Sequence, residues 1–139
     1  MRYPFVIAMK KSCILNSALS EAVASLGHTE YLVICDAGLP IPDGTKKIDL
    51  SISHGVPSFD DVLKAVCSEL VVESYIVASE IQDKNVQELE SIRNMLSGMN
   101  EEMVSHTKFK ELSQRARYIV RTGETKPYAN VILVGGVNF

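Results

Sequence analysis

The sequence predicts a single α/β domain with a mostly parallel central sheet of about five or six strands and helices on both faces. Short apolar runs rich in β-forming residues alternate with segments of helical periodicity along the chain. The connections between these segments are short, which is typical of strands and helices that succeed one another in one layered unit. The 139 residues suffice for one domain that buries about two-thirds of its unfolded surface without disulfides or metal.

The first half of the chain begins with a helix over residues 17–26, where apolar positions recur at helical spacing. The apolar run 31–35 predicts a buried strand, and the alternation of apolar and polar residues over 48–52 predicts a half-buried one. Ser58 is a good N-cap for a helix whose first turn carries two aspartates, which the helix dipole favours. Residues 70–78 are expected to form the next strand.

In the second half, the polar segment 80–98 predicts one outer helix that stops at a glycine. Four apolar residues at helical spacing form its predicted buried stripe: Val86, Leu89, Ile92 and Leu96. A short strand over 103–104 and a helix that begins at 105–107 follow. Two further strands are expected at 118–122 and 131–134, and they are close enough in sequence to be antiparallel.

Composition restricts the function classes. A net charge of −3 and the lack of a basic patch argue against nucleic acid or an anionic membrane as a partner. Three widely spaced cysteines in apolar surroundings favour reduced thiols in the cytoplasm over a disulfide framework or a zinc site. Residues 1–9 hold too short an apolar run for a secretory signal or a membrane span, and we interpret them as an N-terminal extension or start region before a domain over 10–139.

The stretch 26–42, LGHTEYLVICDAGLPIP, organises the candidate site. Asp36 falls at the carboxyl end of the first strand, the edge at which open α/β sheets bind ligands. His28 lies before the strand, and a five-residue strand separates its two ends by roughly 17 Å. The two side chains can therefore serve one site only through loop curvature or a neighbouring subunit. The alternative is that Asp36 starts a turn and His28 caps a helix carbonyl.

Several chemistries lack their sequence signatures. No glycine-rich dinucleotide or phosphate loop follows a strand, and no Gly-x-Ser-x-Gly elbow occurs, which disfavours nucleotide enzymes and serine hydrolases. The three histidines lack metal-ligand spacing, so no metal site is expected. A small polar ligand remains, held by Asp36, two histidines and the loop PYAN over 127–130.

Three segments, at 26–42, 55–59 (GVPSF) and 122–133 (TGETKPYANVIL), resemble the D-ribose pyranase family of sugar-ring isomerases. The similarity extends from Lys10 to Phe139. The fucose mutarotases are a sister family with related motifs. Three triplets of this chain resemble those of the D-ribose pyranases and not those of the fucose mutarotases: Leu-Gly-His, Asp-Ala-Gly and Tyr-Ala-Asn.

The resemblance implies an enzyme that interconverts the pyranose and furanose forms of D-ribose by acid/base ring opening and reclosure, without a cofactor. It also implies pentameric rings, often stacked as a decamer, with each pocket shared between neighbouring subunits. His28 is then the proton donor, and Asp36 and His106 contact the sugar. His54 carries no expected role. Three residues are expected to close the pocket from the neighbouring chain: Tyr128, Ala129 and Asn130.

Other interpretations stay open. Tyr128 can be an ordinary interface residue, Asn130 a turn residue bonded to backbone, and His106 a helix-start residue without a ligand. The same pocket could bind ribose without turnover, as an accessory or sensor module, or serve a fucose mutarotase. His28 discriminates enzyme from binding module, because catalysis requires its titratable proton.

Overall fold

In the computed structural model, six strands and five helices alternate along residues 10–139, which are the residues that the structure describes. The extension predicted for residues 1–9 lies outside them. The elements follow in chain order: α1 (Ser17–Ser25), β1 (Tyr31–Cys35), β2 (Lys46–Asp49), α2 (Phe59–Cys67), β3 (Val72–Ala78), α3 (Ile81–Lys84), α4 (Val86–Met95), β4 (Asn100–Val104), α5 (His106–Ser113), β5 (Tyr118–Arg121) and β6 (Val131–Gly135).

Polar side chains fix where three of the helices begin. Asn16, Ser58 and Ser105 each accept a hydrogen bond from the backbone N–H three residues further on, at 2.9 to 3.1 Å. These bonds satisfy donors that the first helical turn cannot pair internally. The predicted cap at Ser58 is confirmed, and Asn16 and Ser105 cap α1 and α5.

The strands form one sheet in the order β2-β5-β1-β6-β3-β4. Three of the five strand pairs are parallel, and β6 alone runs against both of its neighbours, β1 and β3. The predicted mostly parallel sheet is therefore confirmed. The parallel arrangement places the carboxyl ends of β1, β3 and β5 at the same sheet edge.

The strands β5 and β6 are antiparallel in direction, as expected, but they are not neighbours in the sheet. The two strands run in opposite directions, but β1 lies between them and pairs with both. The reason lies in the connecting loop, 122–130, which hydrogen-bonds to the end of β1. The Thr122 backbone N–H donates to the Cys35 carbonyl at 3.0 Å, and the loop then crosses over this strand.

Helices cover both faces of the sheet, as predicted. On one face of the sheet, side chains of α1, α2, α3 and α4 pack into the larger core cluster. On the other face, α5 is the one helix of the described residues that packs into the smaller cluster, through Phe109 and Leu112. The central strands β1 and β6 are buried on both faces, which explains their uninterrupted apolar sequences.

Two predicted elements differ in the structure. The helix expected over 80–98 is interrupted at Asn85, which ends α3 and caps α4. Val86 consequently leaves the predicted buried stripe and is 52% exposed, while Ile81 is fully buried. The second strand begins earlier than expected, at Lys46, and stops at Asp49. Ile52 lies beyond it at 80% exposure, where the chain bends into a turn.

Candidate functional site

A cavity of about 300 Å³ lies at the carboxyl edge of the sheet. Asp36 follows β1, His106 opens α5, and Tyr128 and Asn130 come from the loop before β6, and all four line the cavity. The four side chains come from three separate regions of the chain. The structure therefore brings together four of the six residues predicted for the site. Tyr128 and Asn130 lie beside Asp36 of their own chain, which differs from the expectation that they reach the pocket from the neighbouring chain.

Asp36 is held through both its backbone and its side chain. Its N–H donates to the Asn130 Oδ1 at 2.8 Å, and its Oδ1 accepts the Gly38 N–H at 3.0 Å. Burial raises the pKa of the Asp36 carboxyl, and hydrogen bonds from Gly38 and Asn130 oppose that rise. A carboxylate that is partly desolvated and rigidly held is suited to accept hydrogen bonds from the hydroxyl groups of a ligand.

His106 is fixed through its backbone, which leaves its ring available. Its N–H donates to both carboxylate oxygens of Glu80, at 3.0 and 3.2 Å. Burial alone would raise the pKa of Glu80, but hydrogen bonds, including those from His106 and Ser79, lower it below its ordinary value. Within the described part of the chain, the buried Nδ1 of His106 has no hydrogen-bond partner. Because Nδ1 is buried, the part of His106 that lines the cavity is the rest of its ring.

Tyr128 and Phe109 flank the His106 imidazole. The Tyr128 ring meets it edge-on, with centroids 5.1 Å apart and planes at 87°. The Phe109 ring is nearly parallel to it, with centroids 6.5 Å apart. Since Phe109 is fully buried, it gives the imidazole a rigid support. The aromatic contacts therefore restrict the direction from which a ligand can approach the imidazole.

The loop 122–130 is anchored by buried polar groups. The Thr122 hydroxyl donates to the Cys35 carbonyl at 2.8 Å and accepts the Glu124 N–H at 3.1 Å. The Glu124 carboxylate accepts backbone N–H groups from its own loop and from Phe59, the first residue of α2. The Glu124 carbonyl accepts the Ala37 N–H at 2.8 Å. These bonds couple the loop to the residues that follow β1.

The end of this loop supplies the remaining site residues. Tyr128 has a left-handed backbone conformation with φ of 56°. Asn130 is 1% exposed, and its N–H donates to the Tyr128 carbonyl at 2.9 Å. Ala129 between them is fully buried. Ala129 thus packs into the larger core cluster and does not line the cavity, whereas its two neighbours do.

His28 lies apart from these residues. It precedes β1, at the opposite edge of the sheet from Asp36, and its Nε2 is 3.1 Å from Glu73 Oε1. Both side chains are about half exposed. The structure therefore keeps His28 and Asp36 of one chain separate, in agreement with the distance expected across β1.

Sequence reasoning missed several residues that build the site. Glu80 and Glu124 accept backbone hydrogen bonds around the cavity, but an acidic residue in a loop is ordinarily solvated and gives no signal of such a role. Asn85 was hidden inside a predicted helix. Its side chain donates to the Pro127 carbonyl at 2.9 Å.

Within residues 10–139, no group of three or more histidine, cysteine, aspartate or glutamate side chains is arranged to hold a metal ion. None of the helices in this range has the length and apolar character needed to cross a membrane.

Comparison with known proteins identifies a family over most of the chain. The model of the RbsD / FucU transport protein family matches residues 9–138. A D-ribose pyranase from Actinobacillus succinogenes is 51% identical, over 94% of this chain and 100% of its own length. One from Bacillus velezensis is 50% identical with the same coverage of both chains.

Solved structures of related proteins have the same fold as this chain. The structure of Bacillus subtilis RbsD complexed with D-ribose has a TM-score of 0.91 and 47% identity, and the match covers 94% of this chain and 100% of that one. A fucose mutarotase from Streptococcus pneumoniae in complex with L-fucose has a TM-score of 0.77 at 23% identity, covering 89% and 94% of the two chains. At this lower identity the similarity concerns the fold alone.

Proposed function

This chain belongs to the RbsD / FucU transport protein family, and we propose that it is an enzyme that interconverts the pyranose and furanose forms of D-ribose. The observation that carries the proposal is an identity of about half of its residues to proteins named D-ribose pyranase, over 94% of the chain. A 47%-identical structure contains D-ribose, whereas the L-fucose-bound neighbour is only 23% identical. Ribose is therefore favoured over fucose as the substrate.

The cavity between Asp36 and His106 supplies groups suited to a small sugar. The Asp36 carboxylate can accept hydrogen bonds from two hydroxyl groups, which a charged acceptor makes strong. The His106 imidazole, which lines the cavity, can bond a further hydroxyl through a ring nitrogen. Tyr128 and Asn130 close the side of the cavity formed by the loop. Together with the buried Ala129 between Tyr128 and Asn130, these four cavity residues form the proposed binding site.

The proposed proton donor, His28, comes from a neighbouring subunit. His28 and Asp36 stand at opposite edges of one sheet, so an intact site requires a second copy of the chain. The Glu73 carboxylate contacts Nε2 of His28, so Nδ1 is the ring nitrogen left outside this contact. The need for a second copy supports an oligomer, and from the family resemblance we propose a pentameric ring or a stacked decamer.

Ring opening needs a proton delivered to the ring oxygen and another taken from the anomeric hydroxyl. His28 supplies the first, and an imidazole in this role contributes typically about 10²- to 10⁴-fold. The open chain then recloses through a different hydroxyl, which changes the ring size. The binding residues hold the open chain in place, which adds an orientation effect. None of these steps requires a cofactor.

The proposed location is the cytoplasm. The cysteines in the described residues, Cys13, Cys35 and Cys67, are all free thiols. Free thiols are typical of proteins in a reducing compartment.

Magnetisation-exchange NMR on equilibrated D-ribose tests the function, since it measures transfer between the pyranose and furanose anomeric signals. The protein should accelerate this exchange, and His28→Gln should reduce the acceleration by at least about 10²-fold while ribose affinity changes less than about tenfold. His54→Gln is the matched control, because His54 is exposed and outside the site. Ribose binding without acceleration would identify a binding module, and acceleration of fucose exchange alone a fucose mutarotase.

Mixed assembly tests the shared site. His28→Gln subunits, which lack the proton donor, and Asp36→Asn subunits, which bind ribose weakly, should regain activity at low ribose concentration when they are unfolded together and co-assembled. With random mixing, about a quarter of the sites would combine an intact Asp36 with an intact neighbouring His28. No recovery in a verified mixed oligomer would show that each site lies within one chain. A 15.3 kDa monomer in light scattering would refute the assembly.

A further inference from the structure

Tyr128 has a backbone conformation that needs support. Its φ of 56° lies in the left-handed region, which a bulky side chain rarely adopts. Such residues persist where their surroundings hold them, and they concentrate at functional sites. Tyr128 lines the sugar cavity and contacts His106 edge-on. The contacts that hold this residue therefore determine the shape of the proposed site.

One of these contacts comes from outside the loop. The Asn130 N–H bonds the Tyr128 carbonyl, and Ala129 is fully buried, but both belong to the loop itself. Asn85, by contrast, lies between α3 and α4 and donates from its Nδ2 to the Pro127 carbonyl at 2.9 Å. This bond fixes the peptide group that immediately precedes Tyr128. It connects the loop to the helical layer.

The two polar atoms of the Asn85 side chain have different partners. Its Oδ1 accepts the Glu88 N–H at 3.3 Å and so caps α4, while its Nδ2 binds the loop. Aspartate and serine also cap helices well, but neither offers the amide donor that reaches Pro127. Substitution can therefore remove the contact with the loop and keep the helix cap. The interruption of the predicted helix at Asn85 makes this double contact possible.

We propose that Asn85 is a positioning residue of the sugar site, which holds Tyr128 against His106 through the Pro127 carbonyl. The inference rests on the proposed function, since it assigns Asn85 to the same ribose site. Asn85 does not line the cavity, so its effect on ribose passes through Tyr128.

Steady-state exchange kinetics with D-ribose test the proposal in Asn85→Asp and Asn85→Ser. Both variants should raise KM about three- to tenfold, with kcat within about twofold of wild type, because the lost bond shapes binding rather than the proton donor. Asn16 supplies the matched control. It caps α1 through its own Oδ1 and is not among the residues lining the cavity, so Asn16→Asp and Asn16→Ser should leave KM unchanged.

Two results would overturn the proposal. The first is a wild-type KM in both Asn85 variants. The second is an equal decrease of Tm and kcat in the Asn85 and the Asn16 variants, which would indicate that Asn85 acts only as a helix cap.

A crystal structure of Asn85→Asp tests the inference without any sugar chemistry. The proposal expects Tyr128 to leave the left-handed region or to lose its 5.1 Å contact with the His106 ring. Retention of both features would refute it. Failure of the wild-type protein to accelerate ribose exchange would refute the proposed function instead, and the crystal structure would still decide the role of Asn85.

Discussion

Replacing Asp36 with asparagine should weaken ribose binding and stabilise the protein. Asparagine has nearly the same shape, and its Oδ1 can still accept the Gly38 N–H that Asp36 accepts at 3.0 Å. The backbone bond from residue 36 to Asn130 Oδ1 is independent of the side chain. The substitution therefore removes the negative charge and one acceptor, and it preserves the surrounding hydrogen bonds.

The loss of affinity follows from the bonds that the carboxylate can make. A hydrogen bond to a charged group contributes about 1.5 to 3 kcal/mol. Loss of one such bond from a sugar hydroxyl corresponds to about a 10- to 150-fold weaker affinity, at about 1.4 kcal/mol for each factor of ten. The amide oxygen can still accept from one hydroxyl, so the expected effect is that of one bond and not two.

The gain in stability follows from the pKa of Asp36. Burial raises that pKa above its ordinary value near 3.8, so the folded state retains a proton that the unfolded chain releases. Wild-type stability therefore falls as the pH rises from the unfolded pKa through the folded pKa. Asparagine lacks this titration. The variant should be more stable than wild type at neutral pH, and this advantage should shrink below the unfolded pKa.

Titration calorimetry with D-ribose measures the affinity, and thermal melts at about pH 3 and about pH 7 measure the stability difference. Asp43→Asn is the matched control, since Asp43 is exposed in the loop that follows the site and should change neither quantity. Ribose affinity equal to wild type would refute the binding role of Asp36. A variant less stable than wild type at neutral pH would refute the reasoning from burial.

Three further changes test the surroundings of the site. Burial, and secondly the contact with the Asp60 carboxyl, raises the pKa of Glu88 to about 8, so wild-type stability should fall as the pH rises from 4.5 to about 8. Thermal melts of Glu88→Gln should lack this pH dependence, and the same dependence in both proteins would contradict the raised pKa of Glu88. Gly123→Ala would press a methyl group against the Val56 carbonyl, so the free energy of unfolding measured in urea should fall by about 1 to 3 kcal/mol. A variant as stable as wild type would show that the loop adjusts freely. Phe109→Ala should cost about 3 to 5 kcal/mol and raise the KM for ribose; an unchanged KM would mean that Phe109 does not support the imidazole of His106.

Much of the fold was predictable because its signals are local. The run 31–35 is apolar throughout since β1 is buried on both faces, and Ser58 caps α2 through a bond within four residues of chain. The interruption at Asn85 carries no comparable signal, because Asn85 also bonds Pro127, 42 residues away in sequence. The position of β1 between β5 and β6 likewise depends on bonds between Cys35 and Thr122. Contacts of this kind leave no periodic pattern.

The sequence by itself determined the α/β class, the position of Asp36 at the end of a strand, and the separation of His28 from Asp36 by the length of β1. The chain's similarity to D-ribose pyranases also follows from the sequence alone. Only the tertiary structure decided that His106 and Asn130 line one cavity with Asp36 of the same chain, and that Asn85 supports the loop beside them. The physical reason is that strand length and apolar pattern are properties of neighbouring residues. A cavity, in contrast, forms where distant segments pack together and satisfy one another's buried polar groups.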